Sequence, residues 1–421
     1  MKKSLILLSF AALGAATQTA WATNGYWSHG YGPKSKSMAG ACVAMPLEGM
    51  CNAINPAGAV FLGNEMELDV SFFMPDHGFV ANPDGLRMIP PGEHESTKDL
   101  FLIPSFNYNY MLDADSAVSL TIGGNGGMNT EYDSAVWSSF NNPLGTATSP
   151  TGIDLMQGFI GVNYARKINQ DHAIGIMPFM AIQGLKTYGL EPFQAMSQYP
   201  DSVSNNGYDI SYGFGARIGW MGNLTNRLTL GASYQTRSWM TDFEDYKGLL
   251  AEQGSFDIPP NLDLGLSFKI NPSLTLALAY QRIFYSDIKA LSNSTDLPMS
   301  PDSAPLGSDN GTGFGWDDVD VFKVGLQWAY SSDLVFRAGY SNSSEAFESS
   351  QALMNVLAPA VVKEHFTIGA SKLIDPANEV SLAVSYAPEV KLYGTNDQIG
   401  GQSGYLYMSQ WDVTLGWTKK F

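Results

Sequence analysis

Residues 65–74 read EMELDVSFFM and alternate without a break. Met66, Leu68, Val70, Phe72 and Met74 fall on one face of an extended chain, and Glu65, Glu67, Asp69 and Ser71 on the other. A period of two is the mark of a β-strand with one apolar face. The pattern recurs downstream. Tyr212, Phe214, Ala216, Ile218 and Trp220 alternate with Ser211, Gly213, Gly215, Arg217 and Gly219; Phe322, Val324, Leu326, Trp328 and Tyr330 alternate with Lys323, Gly325 and Gln327. Leu274, Leu276, Leu278 and Tyr280 oppose Thr275, Ala277, Ala279 and Gln281 in the same way.

Counting such runs places strands near 65–75, 102–112, 116–127, 155–167, 172–185, 208–221, 227–238, 261–270, 273–284, 319–330, 333–342, 361–373, 378–387 and 405–421, an even number. Short polar turns (113–115, 169–171, 223–226, 271–272) alternate with long connections such as 128–154 and 284–318. Short turns on one side, long loops on the other, and Tyr and Trp at strand ends describe a bacterial outer-membrane barrel. A soluble sandwich or solenoid would use the same apolar face as core, but at this length it would need two cores and a linker. No Pro/Ser-rich hinge or charge run divides the chain. The last strand carries Trp411, Val413, Leu415, Trp417 and Phe421 on one face, as such barrels do at their C-terminus, with Lys419 as an interruption. The fold class is therefore all-β: a fourteen-stranded antiparallel transmembrane β-barrel over residues 65–421.

Ahead of it stand two different segments. Lys2 and Lys3, the apolar run 5–16 and Ala20-Trp21-Ala22 make a secretory signal peptide, residues 1–22. No later run approaches the roughly 18 apolar residues of a membrane helix. Loss of Lys2 and Lys3 takes the formal net charge from −17 to −19, a balance that argues against a nucleic-acid partner. Residues 23–64 are rich in Gly and Ala and do not alternate, which marks a compact non-strand segment, and its relation to the strands decides between a pore, a plugged pore and a closed anchor. The two cysteines, Cys42 and Cys51, lie within it, in a compartment that oxidises thiols. They form either a disulfide, stabilising a short loop by roughly 2.5–3 kcal/mol on the chain-entropy view, or two small buried thiols. Neither follows the cleavage site closely, so no lipid anchor is indicated. Asn55-Pro56-Ala57 reads as a capped turn, with Asn as N-cap and Pro at the first helical position.

The phrases TNGYWSHGYG and SMAGACVAMP, the Asn55-Pro56-Ala57 turn, the run Gly124-Asn125-Gly126-Gly127-Met128-Asn129, and further Gln253–Pro259, Gln281-Arg282-Ile283 and Gly313-Phe314-Gly315-Trp316 together resemble the FadL/TodX (OmpP1) family of outer-membrane transporters of long-chain fatty acids and hydrocarbons. The resemblance covers nearly the whole mature chain and implies the same fourteen strands. It implies a bacterial outer-membrane location, a hydrophobic small-molecule ligand (fatty acid, alkane or aromatic), outer-membrane lipid as neighbour, a monomer and no cofactor. It further implies that residues 23–64 are a small N-terminal plug, or hatch, that blocks the lumen with Asn55, Pro56 and Ala57 at its gate, a low-affinity groove among the loops, and a tighter lumen site. A kink in the third strand would open a lateral exit, here at Gly123, Gly124, Gly126 and Gly127. Glycine weakens ladder pairing and marks bulges, although the same glycines would also suit an ordinary turn into the next loop. The cysteines are a departure, since small residues are expected there.

Arg217, Arg237, Lys323 and Arg337 fall on the polar face and are candidates to bind a carboxylate; taken singly, each is more simply read as the partner of a lumen acid such as Asp209, Asp263 or Asp412. Trp137, Phe140, Leu144, Leu185, Leu190, Phe193 and Met196 are candidates for a capture groove or for local packing. His365 and Thr367 should face inward. The five histidines lack metal-ligand spacing, and no nucleophile elbow or phosphate loop appears, so neither a metal, a cofactor nor a catalytic residue is expected. Sequence alone leaves an outer-membrane lipid hydrolase and a general porin or adhesin as competitors.

Overall fold

The computed structural model describes residues 24–86, 89–297, 304–396 and 400–421; the signal peptide expected over 1–22 lies outside the described residues. The barrel strands are β1 Glu65–Ala81, β2 Phe101–Met111, β3 Ser116–Tyr132, β4 Thr151–Lys167, β5 His172–Tyr188, β6 Asp209–Asn223, β7 Leu228–Gln235, β8 Asn261–Asn271, β9 Leu274–Ile283, β10 Val319–Ala329, β11 Leu334–Ser343, β12 Glu364–Asp375, β13 Asn378–Asn396 and β14 Gln402–Lys420. Each pairs antiparallel with its chain neighbours, and β14 returns to β1 from Glu65↔Lys420 to Ala81↔Gly404. The closed fourteen-strand barrel is thus the observed fold. Closure satisfies the backbone within the wall, which lipid demands of any sheet that crosses it. No helix among the described residues is long and apolar enough to cross a membrane.

Alternation sets the two faces. Tyr212, Phe214 and Ile218 point outward and are 56, 63 and 51 % exposed, whereas Ser211, Arg217 and Ser233 face inward and are buried. Strands β1, β3 and β13 run longer than alternation predicts, because burial stops alternating before the strand ends: residues 126–130 of β3 are all buried. Two short strands, Gly92–Glu95 and Trp239–Met240, pair with β1 and β6 and are too brief to leave a sequence period. β7 ends at Gln235, so Arg237 lies in the connection after the strand, not on it.

Residues 24–64 lie inside the barrel and are nearly all buried. They form one helical turn, Pro33–Lys36, and two 3-10 turns, Gly49–Ala53 and Pro56–Phe61. Inward glycines make the seat. Gly175 and Gly219 are cross-strand partners, and a Cβ on them would lie 2.4 Å from the Pro56 carbonyl carbon and 2.1 Å from Asn55 Oδ1. The glycine pairs Gly231/Gly265 and Gly325/Gly339 leave the same room beneath Val43 and Met38.

Candidate functional site

The lumen segment is fixed by polar groups rather than by a covalent clasp. Asn55 caps the turn Pro56–Phe61, its Oδ1 accepting from Ala57 N at 3.1 Å. Its amide donates to Val43 O at 2.7 Å and to Trp220 O at 3.0 Å on β6, and Asn163 donates to Pro56 O at 2.9 Å. Lys36 Nζ meets Asp412 at 2.8 Å and Ser71 Oγ at 2.6 Å, and Lys34 pairs with Glu379. Glu48 accepts from the amides of Lys34 and Ser35 at 3.0 and 2.7 Å. Cys42 and Cys51 are free and buried, which corrects the disulfide favoured by compartment and spacing. Burial, and then Cys42 beside it, pushes the Cys51 thiol well above its ordinary value, so the thiolate that exchange chemistry needs is suppressed.

The glycine-rich end of β3 is not a turn into the next loop. The strand continues to Tyr132, and its register against β4 slips between Gly124 and Gly126, leaving Asn125 as the extra residue of a bulge. A one-residue bulge reverses which side chains face inward. Ser119, Thr121 and Gly123 are buried before it, and Met128, Thr130 and Tyr132 after it. The β2–β3 ladder stops at Phe106↔Ile122. Beyond that point residues 101–105 of β2 pair with β1 only, while β3 pairs with β4. The wall is therefore interrupted beside the bulge, until Thr97 N bonds Glu131 O at 2.9 Å farther along. Phe73, Phe101 and Ile103 form an apolar cluster at its β1–β2 margin.

The first described residues occupy the inner side of this interruption. Trp27 bridges to Gly126, Ser28 N donates to Asn125 O at 3.4 Å, and a Cβ on Gly126 would sit 2.3 Å from Tyr26 O. Tyr285, in the connection 284–318, holds this end in place. Its hydroxyl donates to Asn24 O at 2.6 Å and accepts from Tyr26 N at 3.2 Å. Its ring meets Tyr26 edge-on at 5.3 Å and Trp316 at 5.1 Å.

Two cavities flank these aromatics. One, of about 20 Å³, lies between Gly25 and Tyr26, the bulged strand (Gly127, Met128, Asn129), β1 (Phe73, Pro75, His77), Trp316, residues 358–360 and Met408. The other, of about 80 Å³, is a groove among the long loops, lined by Trp137, Ile153, Leu190, Phe193, Leu249, Leu250, Ala290, Thr295, Leu297, Leu306, Thr312, Gly313, Phe314, Met354 and Leu357. Phe314 and Trp316, and likewise Leu357 and Ala358, place near neighbours in the chain on opposite cavities. Of the groove candidates read from sequence, Trp137, Leu190 and Phe193 line it, and Phe140 packs on Trp137 and Phe193. Leu144 is exposed, Leu185 is buried at the end of β5, and Met196 is partly buried against the core. Apart from Ile153 at the start of β4, the remaining lining comes from loops without a period, which is why the sequence missed it.

The four cations proposed for a carboxylate all have protein partners. Arg217 reaches Asp263 at 3.2 Å, Gln235 at 2.5 Å and Ile54 O at 3.0 Å. Arg237 pairs with Asp257 at 2.6 Å, Arg337 bonds Gln327 and Ser371 at 2.7 Å each, and Lys323 bonds His29 O at 3.3 Å. Asp263 is thus the acid partner of Arg217, while Asp412 serves Lys36 and Asp209 accepts from Asp245 N. His365 is buried 3.4 Å from Ser341 Oγ and stacks on His29 at 5.3 Å, and Thr367 bonds Ala39 N and Ser37 O. Among the described residues no group of three or more His, Cys, Asp or Glu is placed to hold a metal ion.

The sequence profile described as "Outer membrane protein transport protein (OMPP1/FadL/TodX)" matches residues 13–407. The chain belongs to this family. It is a transport protein of the bacterial outer membrane and not an enzyme. The crystal structure of the Pseudomonas putida toluene transporter TodX superposes with a TM-score of 0.69 at 18% identity, covering 93% of this chain and 99% of that one. A Pseudomonas aeruginosa FadL homologue gives 0.68 at 16%, covering 94% and 100%. The Ralstonia pickettii toluene transporter TbuX gives 0.64 at 17%, covering 93% and 99%. At such identities the likeness speaks to the fold alone. No curated sequence matches the chain.

Proposed function

We propose that this monomeric family member is a passive, ligand-gated channel for hydrophobic compounds, fatty acids or hydrocarbons, that releases them sideways into outer-membrane lipid. The observation that carries the reading is the interrupted β2–β3 ladder at the Asn125 bulge, with an apolar cavity on its inner side. A ligand captured in the loop groove meets two strips that face that cavity on their other side, Phe314–Trp316 and Leu357–Ala358. Moving the Phe314–Trp316 strip loosens Tyr285 from Asn24 and Tyr26, and the N-terminal segment withdraws from Gly126. Lateral exit suits an apolar solute, which gains nothing by crossing a watery lumen. The Asn55-Pro56-Ala57 turn stays seated and keeps the barrel closed to ions. The toluene named for TodX and TbuX fits such a route.

A light-activated apolar probe tests the path. Cross-links are expected on Phe314, Trp316, Met128, Met408 and the Phe101–Ile103 margin. Adducts running instead through Met38, Ala41 and Ala277, beneath the hatch, would place the route along the barrel axis and sink the lateral reading.

A further inference from the structure

We infer that the compounds taken up are uncharged. This inference rests on the transport reading above and narrows its substrate class. Among the described residues the groove lining contains no charged side chain. The side-chain donors among these same residues are Thr295, Thr312 and Trp137. Thr295 Oγ1 donates to Gln351 Oε1 at 2.7 Å and Thr312 Oγ1 to Asp296 O at 2.6 Å, so both hydroxyl protons are committed. The indole Nε1 of Trp137 is the one buried donor of the lining without a partner among the described residues. One neutral N–H suits an aromatic face or a neutral oxygen. It does not compensate a carboxylate, whose desolvation in an apolar site is far larger.

The surroundings agree. Lys289, next in the chain to Ala290 of the lining, pairs with Glu252, and Lys247, two residues before Leu249, pairs with Glu244. Deeper in, Arg217, Arg237, Lys323 and Arg337 are bonded to protein acceptors, as described above. The connections on the long-loop side (82–100, 133–150, 189–208, 236–260, 284–318, 344–363, 397–401) carry twenty-one acidic residues against six basic. Such a mouth repels anions before they reach the groove.

Matched pairs separate charge from shape: toluene against benzoate, and methyl oleate against oleate. Uptake of each labelled compound is measured at neutral pH in cells carrying the full chain, against cells without it. The neutral member of each pair should enter faster by about tenfold or more, the discrimination that an uncompensated charge imposes. Protein-dependent entry of oleate or benzoate at the rate of its neutral partner overturns the inference while leaving transport standing. Protein-dependent entry of none of the four overturns the transport reading, and this inference with it.

Discussion

Lys36 shows how much of the hatch rests on single buried groups. Its ammonium sits between Asp412 and Ser71 on two wall strands, and removing one member of a buried ion pair costs about 3–5 kcal/mol. Lys36→Met should therefore raise single-channel conductance in planar bilayers; a trace like that of the parent would show that the pair does not hold the hatch. His29 adds a pH dependence. Burial, then His365, Lys36 and Lys323, hold its imidazole well below its ordinary 6.5, so the seated segment carries it neutral. A group depressed in the folded state contributes stability that is complete above its unfolded value and is lost as pH falls below it. Conductance should rise on acidification from about pH 7 to about pH 5, and His29→Gln should flatten the rise; an equal rise in the variant would assign it elsewhere. Alternation told that Arg217 and Lys323 point inward and offered Asp263 among the acids, but not that Arg217 would be the cation to take it or that His29 O would take Lys323, because those partners come from distant chain. The inward glycines were visible on the polar faces, and their use as a seat was not, since it depends on what lies against them.

At the scale of elements, the connection 284–318 joins capture to gating. Tyr285→Phe keeps the ring against Tyr26 and Trp316 but removes the hydroxyl that serves Asn24 and Tyr26. Leaving buried backbone groups unpaired costs about 1–3 kcal/mol, so amide exchange at Tyr26 and Trp27 should accelerate by roughly tenfold or more. Unchanged exchange would detach the loop from the gate. The third strand was legible as a run of glycines, and the structure adds that the strand passes through them. What the sequence could not give is which residue is extra. Any of the positions 123–127 satisfies the composition, and only pairing against β4 selects Asn125.

For the whole molecule, a period of two over most of the chain and a leading segment that breaks it were enough for a barrel with something inside. The groove was not legible, because its walls come from five loops whose residues share no repeat. Removing residues 24–64 should leave a barrel that still assembles, since the uncovered lumen is polar, and conductance should exceed that of the intact chain. Lateral release as a whole depends on the break in the wall. Deleting Asn125 joins the two registers of β3 and lets the β2–β3 ladder run on past Phe106↔Ile122. The decisive measurement is protein-dependent toluene uptake by this variant, with barrel assembly checked by heat-modifiable migration. The account predicts an assembled barrel whose uptake falls by about tenfold or more, as expected when the only exit is sealed; an assembled variant that takes up toluene at the parent rate would contradict it.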